Sequence, residues 1–301
     1  MRFAFVFSMM VFMALSVTAT QAWGQQELRR ELDRVYSDWR ASLETKSLGN
    51  WQRATAAHRQ MSIRNLIVSQ QQAFPSAMFA VPMKPPETAL LRFVDVKVNG
   101  PTASLIYFGK VDLGVADPSE IPDNLLYLNF VKEESGWKFD TTRLVNLEAM
   151  PDVRAALKTG GNSAALDNPE LLPTGVVPPV AKPCPMPDRI GVLQVESFGY
   201  QTDANVNGFD VASVTDNAEE HIIIGGLRDG VNPLKLQIKQ VPLPPEAPKD
   251  AERILRISAI ILTGEQQRPV IEVFDWTPQA AVADGPQDLV IHVSRITMRQ
   301  R

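Results

Sequence analysis

A proline-rich segment in the middle of the chain sets the strongest constraint on what this sequence can fold into. Between residues 159 and 188 the chain carries seven prolines. Proline fixes φ and lacks a backbone N–H, so such a stretch extends as a semi-rigid spacer and does not continue a helix or a sheet. The sequence therefore predicts two domains, residues 25–158 and residues 189–301, joined by a linker at 159–188.

The first 24 residues predict a signal peptide. Arg2 is followed by an apolar run from Phe3 to Val17, which is shorter than the roughly 20 residues that a membrane-spanning helix needs. Ala22 and Gly24 supply the small residues that signal peptidase requires. We expect cleavage after one of them and a periplasmic or secreted protein with no transmembrane segment. An uncleaved anchor is the alternative.

Composition limits the classes of partner. The chain has 30 lysines and arginines against 34 aspartates and glutamates, a formal net charge of −4. Nucleic-acid binding requires a dense basic surface, so no nucleic-acid partner is expected. The single cysteine, Cys184, cannot form an internal disulfide, so both domains depend on apolar cores. Its thiol is predicted to be free in the linker, or alternatively to join two chains in a dimer.

Hydrophobic spacing predicts an α+β first domain, with helices packed on a curved antiparallel sheet. Apolar residues recur at steps of three and four over residues 25–47 and 51–72, which indicates two helices. After the prolines near residue 85 the period becomes two, which indicates strands. Two hairpins and a final short helix are predicted at residues 91–98 with 102–111, 125–132 with 137–147, and 151–158.

The second domain is predicted to be an all-β sandwich. Its segments are short, rich in β-branched and aromatic residues, and separated by Gly, Pro, Asn or Asp. The predicted strands are residues 190–200, 221–225, 234–241, 253–262, 270–276 and 289–297.

Each domain resembles a known family. The early helix pair and the hairpin segment FVKEESGWKF, residues 130–139, resemble the nuclear-transport-factor-two-like and SnoaL-like superfamily. That resemblance implies a cone-shaped fold, and its members include cavity enzymes as well as noncatalytic binding modules. Residues 223–236, a strand, a glycine-containing turn and a second strand, are similar to a turn of galactose-binding-like jelly-roll modules.

The first resemblance implies a cavity in which Asp, His, Tyr or Arg side chains project from the sheet or the helices. A buried Asp–His or Tyr–Asp pair there with displaced pKa values would support acid–base catalysis. Some of these residues also fit a core or a solvated face, so no catalytic residue is assigned. The candidate cavity-lining residues are Tyr36, Trp39, His58, Arg92, Asp95, Tyr107 and Tyr127, and Asp140 is a further candidate.

A polar segment of the second domain, residues 201–220, contains Asp203, Asp210 and Asp216. Calcium binds several oxygens from loops of this kind. The same residue types are also what turns require, and the spacing lacks the regularity of a known calcium loop. These aspartates are therefore weak metal candidates, and no metal or cofactor is predicted.

The sequence as a whole favours an exported, noncatalytic protein of the cell envelope or extracellular space that binds a protein or a glycan. No nucleophile stands in a recognisable motif, and the two glycine pairs lack the pattern of a phosphate-binding loop. The alternative is a small-molecule enzyme or carrier that uses a cavity in the first domain.

Overall fold

The computed structural model describes residues 4–81, 84–114, 121–161, 164–243 and 252–294. Residues 4–23 and 164–165 are described by their backbone only. Its described part contains four α-helices and three antiparallel four-stranded sheets, a mixed α+β architecture. It divides into two compact units. The first comprises residues 1–60 and 79–180, and the second residues 61–78 and 181–301. Among the residues whose side chains are described, no helix is long and apolar enough to cross a membrane.

The helices begin with α1, Ala4–Glu44, followed by α2, Leu48–Ala54, α3, Ala57–Ser69, and α4, Pro151–Lys158. The predicted signal-peptide cleavage at residues 22–24 falls inside α1. The short helix predicted at 151–158 is confirmed, with Pro151 in its first turn as proline's fixed φ favours.

The single helix predicted over residues 51–72 is wrong, because the chain breaks between α2 and α3. At the break the Ala56 N–H donates to the Phe139 carbonyl at 2.8 Å, and Thr55 forms a parallel bridge with the same residue. The backbone thus leaves the helix to bond the last strand of the first sheet, which is a long-range contact that helical spacing does not reveal.

Both predicted hairpins of the first unit are confirmed, and together they form one sheet in the order β1-β2-β3-β4. Its strands are β1, Arg92–Asn99, β2, Thr102–Lys110, β3, Asp123–Glu133, and β4, Gly136–Asn146. A bulge between Phe93 and Asp95 interrupts β1. A second bulge shifts the register of β4 at Asp140.

The two faces of this sheet are covered differently. α1 packs Leu32 and Tyr36 against one face, in a cluster with Leu105, Leu128 and other alternate residues of the strands. The opposite face packs against α4 and against the chain that follows it, where Leu157, Leu166 and Leu171 cover the sheet. The alternation of the strands places successive side chains in these two clusters.

The described residues of the second unit form eight strands in two sheets. One sheet has the order β11-β10-β5-β8 and the other β12-β9-β6-β7. The strands are β5, Ile190–Phe198, β6, Tyr200–Val206, β7, Phe209–Thr215, β8, Ala218–Ile222, β9, Gly230–Gln240, β10, Ile254–Leu262, β11, Val270–Trp276, and β12, Gly285–Val293. Residues 295–297 of the last predicted strand lie outside the described residues.

One apolar core joins the two sheets of the second unit. Leu193 and Ile257 from one sheet share it with Leu234 and Ile291 from the other. The chain passes from β5 to β6 at Gly199, whose φ of +75° lies in the left-handed region that glycine tolerates. The strand predicted at 190–200 is confirmed as β5 up to Phe198, and only its last residue, Tyr200, belongs to β6 in the other sheet.

The proline-rich segment does not stand apart from the two units. Leu166, in a 3₁₀ turn at Ala164–Asp167, is buried in the first unit, and Leu171 packs beside it. The end of the segment belongs to the second unit, where α3 holds it. Asn65 Nδ2 donates to the Lys182 carbonyl at 2.9 Å, and the Cys184 N–H donates to Asn65 Oδ1 at 2.9 Å. Residues 61–78, grouped by sequence with the first domain, thus pack in the second unit.

Candidate functional site

An open groove lies in the first unit beside the edge strand β4. Its volume is about 750 Å³. Residues of β2, β3 and β4 form one side, and the extended segment 170–178 contributes the other. Trp39 of α1 and Arg59 of α3 also line it, and every lining residue belongs to the first unit.

A row of polar side chains crosses the sheet in the groove. Ser104, Asn129 and Thr141 are neighbours in register on β2, β3 and β4. Ser104 Oγ donates to Asn129 Oδ1 at 2.7 Å, and Asn129 Nδ2 donates to Thr141 Oγ1 at 3.0 Å. Because Thr141 is the acceptor at the end of the row, its hydroxyl can still donate a hydrogen bond into the groove.

Hydrogen bonds hold the segment 170–178 over the sheet. Arg143 Nη1 donates to the Glu170 carbonyl at 2.7 Å, and Asn99 Nδ2 donates to the Pro173 carbonyl at 3.1 Å. The Gly175 N–H donates to Thr102 Oγ1 at 2.9 Å. Gly175 has a φ of +79°, and a Cβ there would lie 2.8 Å from the side chain of Asn99. The wall of the groove is therefore fixed at several points.

Asp140, at the bulge of β4, brings a charge to the groove. Its Oδ1 lies 2.8 Å from His58 Nε2 and 3.2 Å from Arg59 Nε. Burial alone would raise the pKa of Asp140, but the hydrogen bond from His58 and the charge of Arg59 outweigh it and lower this pKa. Asp140 is thus an ionised acceptor that holds the start of α3 against β4.

Tyr127 carries a buried polar group without a partner. Its side chain lines the groove and packs in the cluster on that face of the sheet, and the residue is 1% exposed. Its hydroxyl makes no hydrogen bond within the described residues. Burial raises the pKa of Tyr127, against the opposing charges of Lys97 and Arg143. The hydroxyl therefore stays protonated and can act as a donor.

The other two predicted tyrosines lie in the core under α1. The Tyr36 hydroxyl donates to the Pro86 carbonyl at 2.8 Å, and the Tyr107 hydroxyl donates to Asp33 Oδ1. Burial raises the pKa of both tyrosines, and the bond to Asp33 adds to the rise at Tyr107. Trp39 packs on Phe139 with ring centroids 4.2 Å apart.

Two further predicted residues, Arg92 and Asp95, do not line the groove. Arg92 Nη2 donates to the Leu157 carbonyl at 2.6 Å. Asp95 lies 3.1 Å from Lys97 Nζ on the same strand. Of the seven candidates, Trp39 and Tyr127 line the groove, and His58 contacts it through Asp140.

The weak metal candidates of the second unit are separate and bonded within their hairpin. Asp203 accepts from Ser213 Oγ at 2.6 Å, Asp210 from Asn205 Nδ2 at 2.8 Å, and Asp216 from the Gly199 N–H at 2.9 Å. Across the described parts of the chain, no group of three or more His, Cys, Asp or Glu residues is arranged to hold a metal ion.

Cys184 is buried, which removes the support for a dimer through this residue. It is 2% exposed, and its sulfur lies 3.6 Å from the Asn65 carbonyl and 3.8 Å from Ser69 Oγ. Ser69 Oγ in turn accepts from the Gly225 N–H at 2.8 Å. An interchain disulfide needs an accessible sulfur, and this packing covers it.

A second, more polar groove of about 1030 Å³ lies between α1, α2 and the β3–β4 hairpin. Three of its polar residues, Asn50, Arg53 and Lys138, are already engaged with one another. Arg53 Nη2 donates to Asn50 Oδ1, and Lys138 Nζ donates to the Arg53 carbonyl at 2.5 Å. The groove beside β4 is the stronger candidate site, because it joins the predicted residues Trp39 and Tyr127 to the polar row across the sheet.

Sequence reasoning missed most of the groove. Ser104, Asn129, Thr141 and Arg143 were not singled out, although polar residues at alternate positions of two predicted hairpins are a signal for a hydrated or liganded sheet face. The wall at 170–178 had no such signal, because its position depends on contacts with distant strands.

Comparison with known proteins adds no relative: neither a family model, nor a curated protein, nor a solved structure matches this chain.

Proposed function

We propose that the chain is an exported, noncatalytic binding protein of the cell envelope or extracellular space, and that its protein or glycan ligand binds in the groove beside β4. The observation that carries the proposal is the groove itself. It exposes donors such as Thr141 and Arg143, while its one partly buried carboxylate, Asp140, is already paired with Arg59 and hydrogen-bonded to His58. Such a lining suits recognition of acceptor oxygens.

The proposed organisation is two domains, an α+β domain and a β-sandwich, with the first domain binding the ligand. The N-terminal apolar segment supports export, and cleavage after Ala22 or Gly24 would remove it. The expected mature protein begins at Trp23 or Gln25. Mass spectrometry of the protein recovered from the periplasm or the medium measures this directly, and a full-length cytoplasmic product would contradict export.

One observation favours the alternative, an enzyme that uses acid–base catalysis. His58 and Asp140 form a partly buried pair with a displaced carboxyl pKa, as catalytic dyads do. Three features weigh against it. Asp140, and not His58, lines the groove, and the lowered pKa of Asp140 makes it a poor proton donor near neutral pH. The packing of Trp39, Phe93 and Tyr107 under α1 also supports a filled core there.

Binding and catalysis are separated by one experiment on the mature protein. Oligosaccharide and peptide libraries are tested for binding and, by mass spectrometry, for turnover. Val176→Trp places a large side chain in the groove wall, and Val180→Trp is the matched control, since Val180 is exposed on the same segment outside the groove. Binding lost only in Val176→Trp supports the proposal. Turnover that His58→Gln abolishes would replace it with the enzyme.

A further inference from the structure

The outer edge of β4 is half occupied. β4 stands at the end of its sheet and pairs with β3 on one side only. On the outer side, the Ala56 N–H bonds the Phe139 carbonyl. From Thr141 to Asn146 the described residues contribute no backbone hydrogen bond to this outer side. That half of the strand is an unpaired edge next to the groove.

The register shows which backbone groups point outward. The Lys132 N–H bonds the Pro101 carbonyl, so Lys132 turns its backbone away from β4. In an antiparallel ladder, the backbone N–H and C=O groups of successive residues point to alternate sides of the strand. When these groups of one residue point away from the neighbouring strand, those of its partner on that strand point away as well. Every second residue of β3, counted back from Lys132, points its backbone groups away from β4 in the same way. Beyond the bulge of β4 these residues are Leu128, Leu126 and Asn124, so their partners on β4 point outward. These are Thr142, Leu144 and Asn146.

All three outward residues are exposed in the folded chain, with Leu144 at 40%. The opposite edge of the same sheet differs, because a bulge interrupts β1 and Lys97 forms ion pairs with Asp95 and Asp167 there. Proteins normally protect sheet edges with such devices, since an unprotected edge pairs with other chains. The outer half of β4 has only the bulge at its start and one charged residue, Arg143, and it carries no proline.

Arg143 gives this edge a charge preference. Its Nη1 bonds a carbonyl, and no carboxylate of the described residues lies within ion-pair distance of its guanidinium. Residues directly opposite each other on antiparallel strands bring their side chains together, and opposite charges stabilise such pairs. A strand added beside Arg143 would therefore be favoured if it carried Asp or Glu.

We propose that the edge from Thr141 to Asn146 binds an extended, acidic segment of a partner polypeptide as a fifth strand of the first sheet. The inference rests on the proposed function and names its ligand class. Outward N–H and C=O groups repeat about every 6.8 Å along the strand, a spacing that a peptide backbone matches and a saccharide does not. The side chains of the added strand would enter the groove at alternate positions.

The test uses the mature protein and an acetylated, amidated heptapeptide in which valine and glutamate alternate. Its matched control has the same side chains with alternate backbone nitrogens methylated. Isothermal titration calorimetry is expected to show binding that methylation weakens about tenfold or more, because the ladder hydrogen bonds are lost. Equal binding of the two peptides would overturn strand addition.

Two variants locate the site. Leu144→Pro removes one outward N–H and leaves the bonds to β3, since proline is tolerated where the N–H side of an edge strand faces solvent. It is expected to weaken binding about tenfold, whereas Leu144→Thr, which keeps the N–H, stays within about twofold. If Leu144→Pro fails to fold, the methylated peptide still decides. Arg143→Gln should weaken the glutamate peptide and not its glutamine analogue.

The remaining outcomes separate the inference from the proposed function. Binding of an oligosaccharide alone, lost in Val176→Trp, would overturn the peptide inference and leave the binding function standing. Self-association that Leu144→Pro removes would assign the edge to a second copy of this chain and also overturn it. Failure of peptides and oligosaccharides alike to bind the groove would reject both.

Discussion

The two units differ in how their sheets end. In the second unit, the edge strand β8 has only five residues, two of which are glutamates, and β12 carries Pro286 and Asp288. In the first unit, the outer half of β4 has no proline, and its one charged residue, Arg143, turns its backbone inward. Edge protection is thus present at these two edges of the second unit and absent along the outer half of β4. The difference suggests that this unprotected edge is kept for binding.

The interiors show the same contrast at two tyrosines. Tyr200 of the second unit is buried, and its hydroxyl accepts from the Val282 N–H at 3.0 Å. Tyr127 of the first unit is equally buried, and its hydroxyl has no partner within the described residues. A buried group left unpaired costs stability, so the hydroxyl of Tyr127 should contribute less to folding than that of Tyr200.

The largest effect is expected in the closed core of the second unit. Ile257→Ala removes a fully buried side chain that packs between the two sheets and should lower the free energy of unfolding by about 2–5 kcal/mol. Ile254→Ala is the matched control, because Ile254 lies on the same strand and is half exposed. Its effect should stay within about 0.5 kcal/mol. Urea denaturation measures both variants, and equal losses would contradict this core.

The next effect concerns Asp140 and acid. Asp140→Asn leaves His58 and Arg59 without their carboxylate and should lower the free energy of unfolding by about 1.5–3 kcal/mol at neutral pH. The lowered native pKa means that the stabilisation is present above the unfolded value of 3.8 and is lost as pH falls through the native pKa. The free energy of unfolding, measured from pH 6 to 2, should therefore fall less steeply in Asp140→Asn than in the wild-type protein. The exposed Asp38→Asn serves as control, and a wild-type slope in the Asp140 variant would contradict the pair.

A smaller effect tests the two tyrosines directly. Tyr200→Phe leaves the half-buried Val282 N–H without its acceptor and should lower the free energy of unfolding by about 0.5–1.5 kcal/mol. Tyr127→Phe removes a hydroxyl without a partner, so stability should be unchanged or rise by up to about 1 kcal/mol. Thermal and urea unfolding of the two variants give the comparison. A loss at Tyr127 as large as that at Tyr200 would show that the hydroxyl is satisfied.

The smallest effect on stability is expected at the edge itself. Leu144→Lys should change the free energy of unfolding by less than about 0.5 kcal/mol, because Leu144 is exposed. It should nevertheless slow aggregation during refolding, since an edge lysine opposes strand pairing. Val290→Lys on β12 should change aggregation less, as Pro286 and Asp288 already protect that edge. Light scattering after dilution from urea distinguishes the two variants.

Local patterns predicted local structure. The hairpins of the first unit and the helix at 151–158 follow from spacing and turn residues. The strands β6 and β7 were missed because Asp203 and Asn205 suggest a loop, although Thr202, Ala204 and Val206 alternate with them toward the core. Small and hydroxylated core residues hid that alternation.

Long-range contacts could not be predicted. The helix break at Ala56 depends on a carbonyl of β4, and the place of residues 61–69 of α3 in the second unit depends on hydrogen bonds to residues 182–184. The groove depends on the segment 170–178, which has no period of its own. Tyr127 and Trp39 were predicted as cavity residues and do line the groove. The polar row and Arg143 could be recognised only once the strand register showed that these residues lie side by side across the sheet.

Amide hydrogen exchange along β4, followed by nuclear magnetic resonance on the mature protein, tests the central claim most directly. An unpaired outer edge predicts alternation: the N–H groups of Thr142, Leu144 and Asn146 exchange at least about tenfold faster than those of Thr141, Arg143 and Val145. The acidic heptapeptide should then slow the fast set alone. Equally slow exchange of both sets without peptide would mean that the edge is already paired, and would contradict the account.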